Sequence, residues 1–513
     1  MTHTVVWFKR DLRVHDHAPL AQATRLGPVS CVYFIEPAIW QAPDAATQHY
    51  HFIVESLKSL EQSLKQIGLH LQVLVGPATD CLTRLWQHQP FEQLCSHQET
   101  GNGLTYERDR QVSRWCRDHA VTWHQFQQFG VHRGAHDRDH WKQAWTTHCQ
   151  AHIIATPGQA QSAGMALCDA IPPASELGLT EPDPPKRQRG GREVALDTFN
   201  DFLQVRSRQY RGGISSPLSA PTACSRLSPY LSYGCLSMRE VFQGTQAQLH
   251  CIAAQHSRQA LGLQSFISRL YWHCHFIQKL EDEPELESRN LHRGYDGLRE
   301  HQWCDERFGR LTEGKTGWPL VDACVAMLKH TGWLNFRMRA MLVSVAAYPL
   351  WLHWQPVGHW LARQFLDYEP GIHWSQMQMQ SGTTGINIPR IYNPIKQAQD
   401  HDPQGQFVRR WLEPMRRVPD SWLLQPWLMP INLQRHHGVI VGQDIAHPMV
   451  DLQQATQQAK ARLFALRQTP EVKAARAGII KKHGSRKRLE TPKRALRDAR
   501  NRQAEKNQLS LDF

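Results

Sequence analysis

What most constrains this chain is a change of rhythm near residue 150. Before it, short apolar runs alternate with helix-period stretches. After it, strand patterns all but vanish. The early runs Thr4–Phe8, Val29–Ile35, His70–Val75 and Val121–Gln125 are strand candidates. Between them, Tyr50–Gly68 carries Ile53, Leu57, Leu60, Leu64 and Ile67 at three- and four-residue steps, the mark of one buried helix face. Strands alternating with helices predict a parallel, doubly wound α/β sheet over residues 1–150. No G-x-G-x-x-G follows the first strand, so the standard dinucleotide fingerprint is absent.

The stretch IPPASELGLTEPDPPKRQRGGRE is rich in proline, glycine and charge, and residues 151–194 read as an interdomain linker. Residues 195–468 read as a larger all-α domain, with helical segments at Leu196–Arg208, Leu261–Leu280, Val321–Lys329, Met338–Leu352 and, last, Val450–Arg467. Residues 469–513 form a basic tail, expected to be helical only in part. No internal repeat is visible.

A chain of 513 residues with 41% hydrophobic content can bury a large core without staples. The twelve cysteines are scattered and include no C-x-x-C, which argues for reduced thiols and against a zinc or iron–sulfur site. No metal is expected. The net charge of +13 suggests an anionic partner, but its distribution matters more. Between Lys481 and Phe513 lie eleven Lys/Arg and four acids, so the tail holds +7 and the body only +6. No apolar run reaches the length of a membrane span. The charged opening MTHTVVWFKRDLR lacks a signal peptide's apolar stretch. A monomeric, cytoplasmic, nucleoid-associated protein with no membrane contact is the expectation.

Five segments carry a closer resemblance. VVWFKRDLRVHDHAPLAQA, SRLSPYLSYGCLS (225–237), EGKTGWPLVDA (313–323), TGWLNFRMRAML (331–342) and LDYEPGIHWSQMQMQSG (366–382), the last running into RIYNPIKQAQDHDP, occur in family order. On these the chain resembles the photolyase/cryptochrome family, in an atypical bacterial branch. The resemblance implies an α/β antenna domain, a linker and a helical FAD domain. It implies that Tyr210, Ser225, Leu227, Ser228, Phe266, Arg269, His273, Phe336, Arg339, Asp367, Glu369 and His373 surround FAD. Ser225 and Ser228 lie where a loop enters a helix, a place whose hydroxyls and free N–H groups suit a diphosphate or simply cap the helix. Cys224 replaces the usual threonine and Glu369 a shorter aspartate. His373 stands at the position facing flavin N5, where an imidazole would make flavin redox behaviour depend on pH.

Departures from the family pattern limit what carries over. Arg269 stands where pyrimidine-dimer photolyases have a lesion-contacting glutamate, and His273 replaces an arginine, while Trp272 is kept. Phe336 takes the place of an asparagine that contacts flavin and substrate. Asn335 precedes it by one residue, a rotation of about 100° on a helix. Phe336 and Ala340 stand where (6-4) photolyases have histidines. Of the family's three electron-relaying tryptophans, Trp354 matches the middle one and Trp303 the outer one. Met377 replaces the flavin-proximal one, and Met379 a lesion-stacking one. Trp374, Tyr271 and Trp360 are candidate detours.

Two readings follow. One is light-driven repair of UV-damaged DNA, a carbon–carbon lyase activity in which Arg269, Trp272 and Asn335 meet the lesion and Trp354, Trp303 and Trp374 carry electrons. The other is a cryptochrome-type blue-light photoreceptor without repair. A flavin-free, DNA-tethered scaffold is a third class, which bound FAD would exclude. The antenna chromophore, of folate or deazaflavin type, is not readable, though Glu107 in HQETGNGLTYERD is a candidate contact. The chain ends QLSLDF, Gln508–Phe513, which resembles the bacterial sliding-clamp-binding hexapeptide on a basic tether.

Overall fold

A computed structural model describes residues 3–134, 139–164, 167–252, 257–386 and 390–484. The hexapeptide Gln508–Phe513 and most of the basic tail lie outside the described residues.

Five parallel strands form the N-terminal sheet: β1 (Thr4–Phe8), β2 (Val29–Ile35), β3 (Leu71–Val75), β4 (Gln93–His97) and β5 (Thr122–Phe126). Their order is β3-β2-β1-β4-β5, with Thr4 opposite Val29 on one side and Gln93 on the other. The chain therefore reverses direction of travel at the β1/β4 boundary, and in such sheets a crevice opens beyond the strand ends there. β1 and β2 are buried along their whole length, as expected for strands covered on both faces. Val6 and Phe8 face one core layer, Val5 and Trp7 the other. β4 was not anticipated: QLCSH offers only Leu94 and Cys95 as apolar residues, yet it sits between β1 and β5.

The first core layer runs without a break from the sheet into the helical half, joining Val6, Phe8 and Phe52 to Phe199, Tyr210, Tyr230 and Phe266. The two halves are thus one packed body. Polar struts reinforce the seam. Arg10 Nε donates to the Ser232 carbonyl at 2.8 Å and buried Arg13 donates to that of Gly234 at 2.9 Å. Gly234 has φ +69°, and a Cβ there would run into the Arg10 carbonyl, so this crossing needs glycine. Among the described residues of 151–191 there is one short 3-10 turn, Ala174–Leu177, and Ser162 pairs with the start of β2.

The helical half is built mainly on Arg258–Asp282, Pro319–Thr331, Phe336–Ala347, Trp354–Gln364 and Pro370–Ser381 around a second core. A predicted helix over Leu196–Arg208 is broken into Arg192–Asp201, a π-helical turn Phe202–Arg206 and Ser207–Gly213. Leu452–Gln468 is followed by a further helix, Pro470–His483. No helix among the described residues is long and apolar enough to cross a membrane.

Candidate functional site

The helices Phe336–Ala347 and Pro370–Ser381 diverge around a cavity of about 740 Å³. Ser228, His273, Phe336, Arg339, Phe365, Asp367, Tyr368, Glu369, Ile372, His373 and Met377 are part of its wall. Each polar member is held by a nameable partner. Arg339 makes a bidentate pair with Asp367, at 2.9 and 3.0 Å, and its guanidinium lies 4.1 Å from the Phe365 ring centre. Burial alone would raise the Asp367 carboxyl; Arg339 and the Ser228 hydroxyl outweigh it and hold the group below its ordinary value.

Glu369 behaves differently. Its Oε2 takes an ion pair from Arg10 at 2.8 Å, reaching across from the α/β half. Its Oε1 is buried without a protein partner. Burial dominates and Arg10 offsets it only in part, which pushes this carboxyl up to about 7. An orphaned acceptor in a cavity wall calls for a ligand N–H or O–H.

Below Asp367 the charge is also unbalanced. Arg226 adopts φ +58°, lays its guanidinium 3.9 Å from the Trp333 ring centre and spends Nε on Gln188. Among the described residues it meets no carboxylate within ion-pair distance. Burial depresses it to about 10, with Asp367 opposing and Arg339 and Arg206 adding to the effect. A cation that gains from an anion beside Ser228, the first residue of the short helix Ser228–Ser232, fits a diphosphate. The residues present therefore suit FAD. Arg226 was not singled out from the sequence; its sign is the positive-φ arginine within SRLSP.

His373 Nε2–H donates to the Gly358 carbonyl at 2.9 Å, leaving Nδ1 as the ring's lone pair. Burial pushes the imidazole down to about 4, with the Gly358 bond opposing only in part. In the protein alone the ring is therefore neutral near pH 7. The next residue, Trp374, packs flat on Gly358, where any Cβ would collide with the indole. Its ring centre lies 5.8 Å from that of Trp354, and both are 2% exposed.

The structure brings some of the anticipated residues to this wall and not others. Tyr210 and Phe266 pack edge to face at 5.9 Å, and Arg269 donates to the Tyr210 hydroxyl. Leu227 is buried and the Ser225 carbonyl accepts from Arg206 at 3.3 Å. Asn335 is turned away: its amide donates to the carbonyls of Ile214 and Ser215, because it stands just before the helix Phe336–Ala347. Trp272 packs with Tyr271, His275 and Phe276 beside the cavity. Trp303 is half-buried on Phe308, with its N–H on Asp305 at 2.8 Å.

A second cavity, of about 860 Å³, opens at the β1/β4 switch. Trp7, Lys9, Glu36, Trp40, Asp44, Glu99, Arg108 and Tyr368 are among its walls. Its charges are ion-paired with one another, though Lys9 Nζ, 3.5 Å from Asp109, makes no hydrogen bond. Arg108 pairs with Glu36, Glu99 and Asp109 at 3.1, 2.5 and 2.8 Å. Burial would raise Asp109, but Lys9, Arg108 and Arg133 hold it at about 2. Glu107, on the same helix, points to solvent and pairs with Arg110 and Arg114 instead. Nearby, Asp11, His17 and His97 bring ligand-type atoms within 4.8 Å of one another. His17 Nδ1 already accepts the Leu20 N–H, so Nε2 carries the proton that it donates to Asp11.

Comparison with known proteins agrees with this layout. The family model "DNA photolyase" matches residues 4–135 and "FAD binding domain of DNA photolyase" matches residues 266–465. The chain is 28% identical over 486 residues to a cryptochrome DASH of Gloeobacter violaceus, covering 88% of this chain and 94% of that one. It is 27% identical over 462 residues to a deoxyribodipyrimidine photo-lyase of Vibrio cholerae, covering 83% and 93%. A class III photolyase from Agrobacterium tumefaciens superposes with TM-score 0.80 at 24% identity, over 91% of this chain and 98% of that chain. Two family models in the expected order, an α/β sheet followed by a helical half, and a cavity whose orphaned groups suit FAD together make this chain a member of the photolyase/cryptochrome family.

Proposed function

We propose that the chain is a blue-light-dependent flavoprotein that passes an electron from FAD to UV-induced pyrimidine lesions in DNA. When bound, FAD supplies light absorption and one-electron transfer. The protein's part is to hold it and shape its surroundings. Arg226 and Ser228 neutralise and cap the diphosphate, Asp367 and Glu369 accept ligand hydrogens, and Phe365 and Met377 exclude water. The observation that carries the repair reading is Phe336, an aromatic ring 39% exposed at the cavity wall. A flipped lesion needs such a face to stack on, and a damaged step is cheap to unstack. Arg269 and Trp272 are proposed to contact the lesion.

The direct test is light-dependent repair by chemically reduced protein. Substrates are single- and double-stranded oligonucleotides carrying a cyclobutane dimer or a (6-4) product, with a dark control. Reversal of a lesion in light alone is expected. No reversal by yellow, photoreducible protein would overturn the repair reading.

A second reading has its own observation. Asn335 spends its amide N–H groups on Ile214 and Ser215, so no amide donor is offered to a lesion, and only its side-chain carbonyl stays without a partner. That favours a photoreceptor. In either case Trp374 and Trp354, in ring contact, are proposed as the relay that bypasses Met377, with Trp303 towards the surface. The cavity at the sheet end is proposed to take the antenna chromophore. Gln508–Phe513 is proposed to engage the sliding clamp. Deleting the hexapeptide is expected to abolish clamp pull-down and leave flavin content unchanged.

A further inference from the structure

A hole left in a buried aromatic pair persists only where a proton can leave with the electron. Trp354 is a poor resting place: its indole N–H is held at 2.8 Å by the Asn290 side-chain carbonyl, a neutral amide and a weak base. Trp374 sends its N–H to the Tyr368 hydroxyl, which is no better. Tyr368 itself ends on a base. Its hydroxyl donates to Asp44 Oδ2 at 2.6 Å, a short, charge-assisted bond, and the same oxygen accepts from Asn102 at 3.1 Å. Tyr368 belongs to the walls of both cavities. Its ring stands 5.2 Å from His373, which stands 4.9 Å from Trp374. Burial, then Asp44, keep the phenol well above its ordinary value, so it starts as O–H.

We propose that Tyr368, with Asp44 as its proton acceptor, is the electron donor at which the oxidising equivalent settles during flavin photoreduction. This rests on the flavin reading of the helical cavity. The step balances as follows. The Tyr368 O–H bond breaks, one electron passes to the flavin and the proton passes to Asp44 Oδ2. A neutral phenoxyl and a carboxylic acid remain. A thiol in solution then returns one electron and loses its own proton to solvent, while the Asp44 proton goes back to the phenoxyl oxygen; two such thiols end as one disulfide.

The test is electron paramagnetic resonance on the full-length holoprotein, frozen under blue light without thiol. A tyrosyl signal is expected, narrowed when the protein is grown on ring-deuterated tyrosine. Tyr368→Phe keeps the ring and is expected to bind FAD, lose that signal and photoreduce at least about tenfold more slowly with thiol. Asp44→Asn keeps the phenol but removes the base; the same slowing is expected, so the proposal survives a Phe variant that fails to fold. Only tryptophanyl radicals in yellow wild-type protein, or an unchanged tyrosyl signal in Tyr368→Phe, would overturn the proposal alone. Colourless wild-type protein would overturn the flavin reading and the proposal with it.

Discussion

The two cavities differ in how their charges are settled. At the end of the sheet, Lys9, Arg108 and Arg133 are ion-paired with Glu36, Glu99 and Asp109, though Lys9 Nζ, 3.5 Å from Asp109, makes no hydrogen bond. In the helical half, Glu369 Oε1 has no partner and Arg226 no carboxylate within reach among the described residues. A buried polar group left unmatched costs stability unless something arrives to match it. In the first cavity each cation therefore has a carboxylate of the protein as its counter-charge, and a chromophore there is not needed to balance charge. The second is finished only by its ligand. Tyr368 alone among the wall residues named here joins them, with its ring in the helical half and its hydroxyl on Asp44 of the α/β half.

The largest effect expected from breaking this contrast is on stability. Arg108→Ala strips one cation from three buried carboxylates, and removing one partner of a buried pair typically costs about 3–5 kcal/mol. Urea denaturation monitored by circular dichroism measures it. The protein that still folds should hold its full complement of FAD. Loss of flavin in proportion would mean that the two cavities are not separately settled.

The converse change is Arg339→Ala. It leaves Asp367 in the cavity wall without its bidentate partner, and losing one side of a buried charge pair at a binding surface costs about 2–5 kcal/mol. At least about a thirtyfold weaker hold on FAD is expected. Flavin release on dilution, followed by its recovered fluorescence, reads this directly. Unfolding of the apoprotein should shift less than in Arg108→Ala. An equal shift in both variants would erase the distinction.

What the sequence disclosed follows the same division. The layers were legible because a parallel sheet buries whole strands, and runs such as TVVWF and VSCVYFI have no other reading. β4 was hidden because its neighbours, not its own composition, make QLCSH a strand. Arg339, Asp367 and Glu369 were found through family motifs, and their pairing is a matter of geometry that the motifs already imply. For Asn335 the sequence disclosed the one-residue helix offset but not the carbonyls of Ile214 and Ser215 that its amide meets. The Tyr368–Asp44 bond joins residues 324 apart, and no local pattern announces it. The neutral His373 was likewise out of reach, since its protonation depends on burial and on a carbonyl at Gly358.

The subtlest expectation concerns Glu369 and sharpens the contrast by pH alone. In the cavity without ligand this carboxyl sits at about 7, above its ordinary 4.5. Between those values the folded chain holds a proton that the unfolded chain has lost. Its contribution therefore falls as pH rises through that window and is flat above it. A ligand N–H or O–H on Oε1 favours the charged carboxylate, so binding FAD expels the proton. FAD affinity should then strengthen as pH rises from about 5 to about 7 and level off beyond; a shift of about one pKa unit on binding corresponds to about tenfold. His373, held at about 4, stays neutral over this range and adds no slope. Glu369→Gln, which cannot titrate, should show flat affinity over the same range, measured by calorimetry with FAD. A wild-type affinity that is flat, or that weakens with rising pH, would mean that the orphaned oxygen is not what FAD completes.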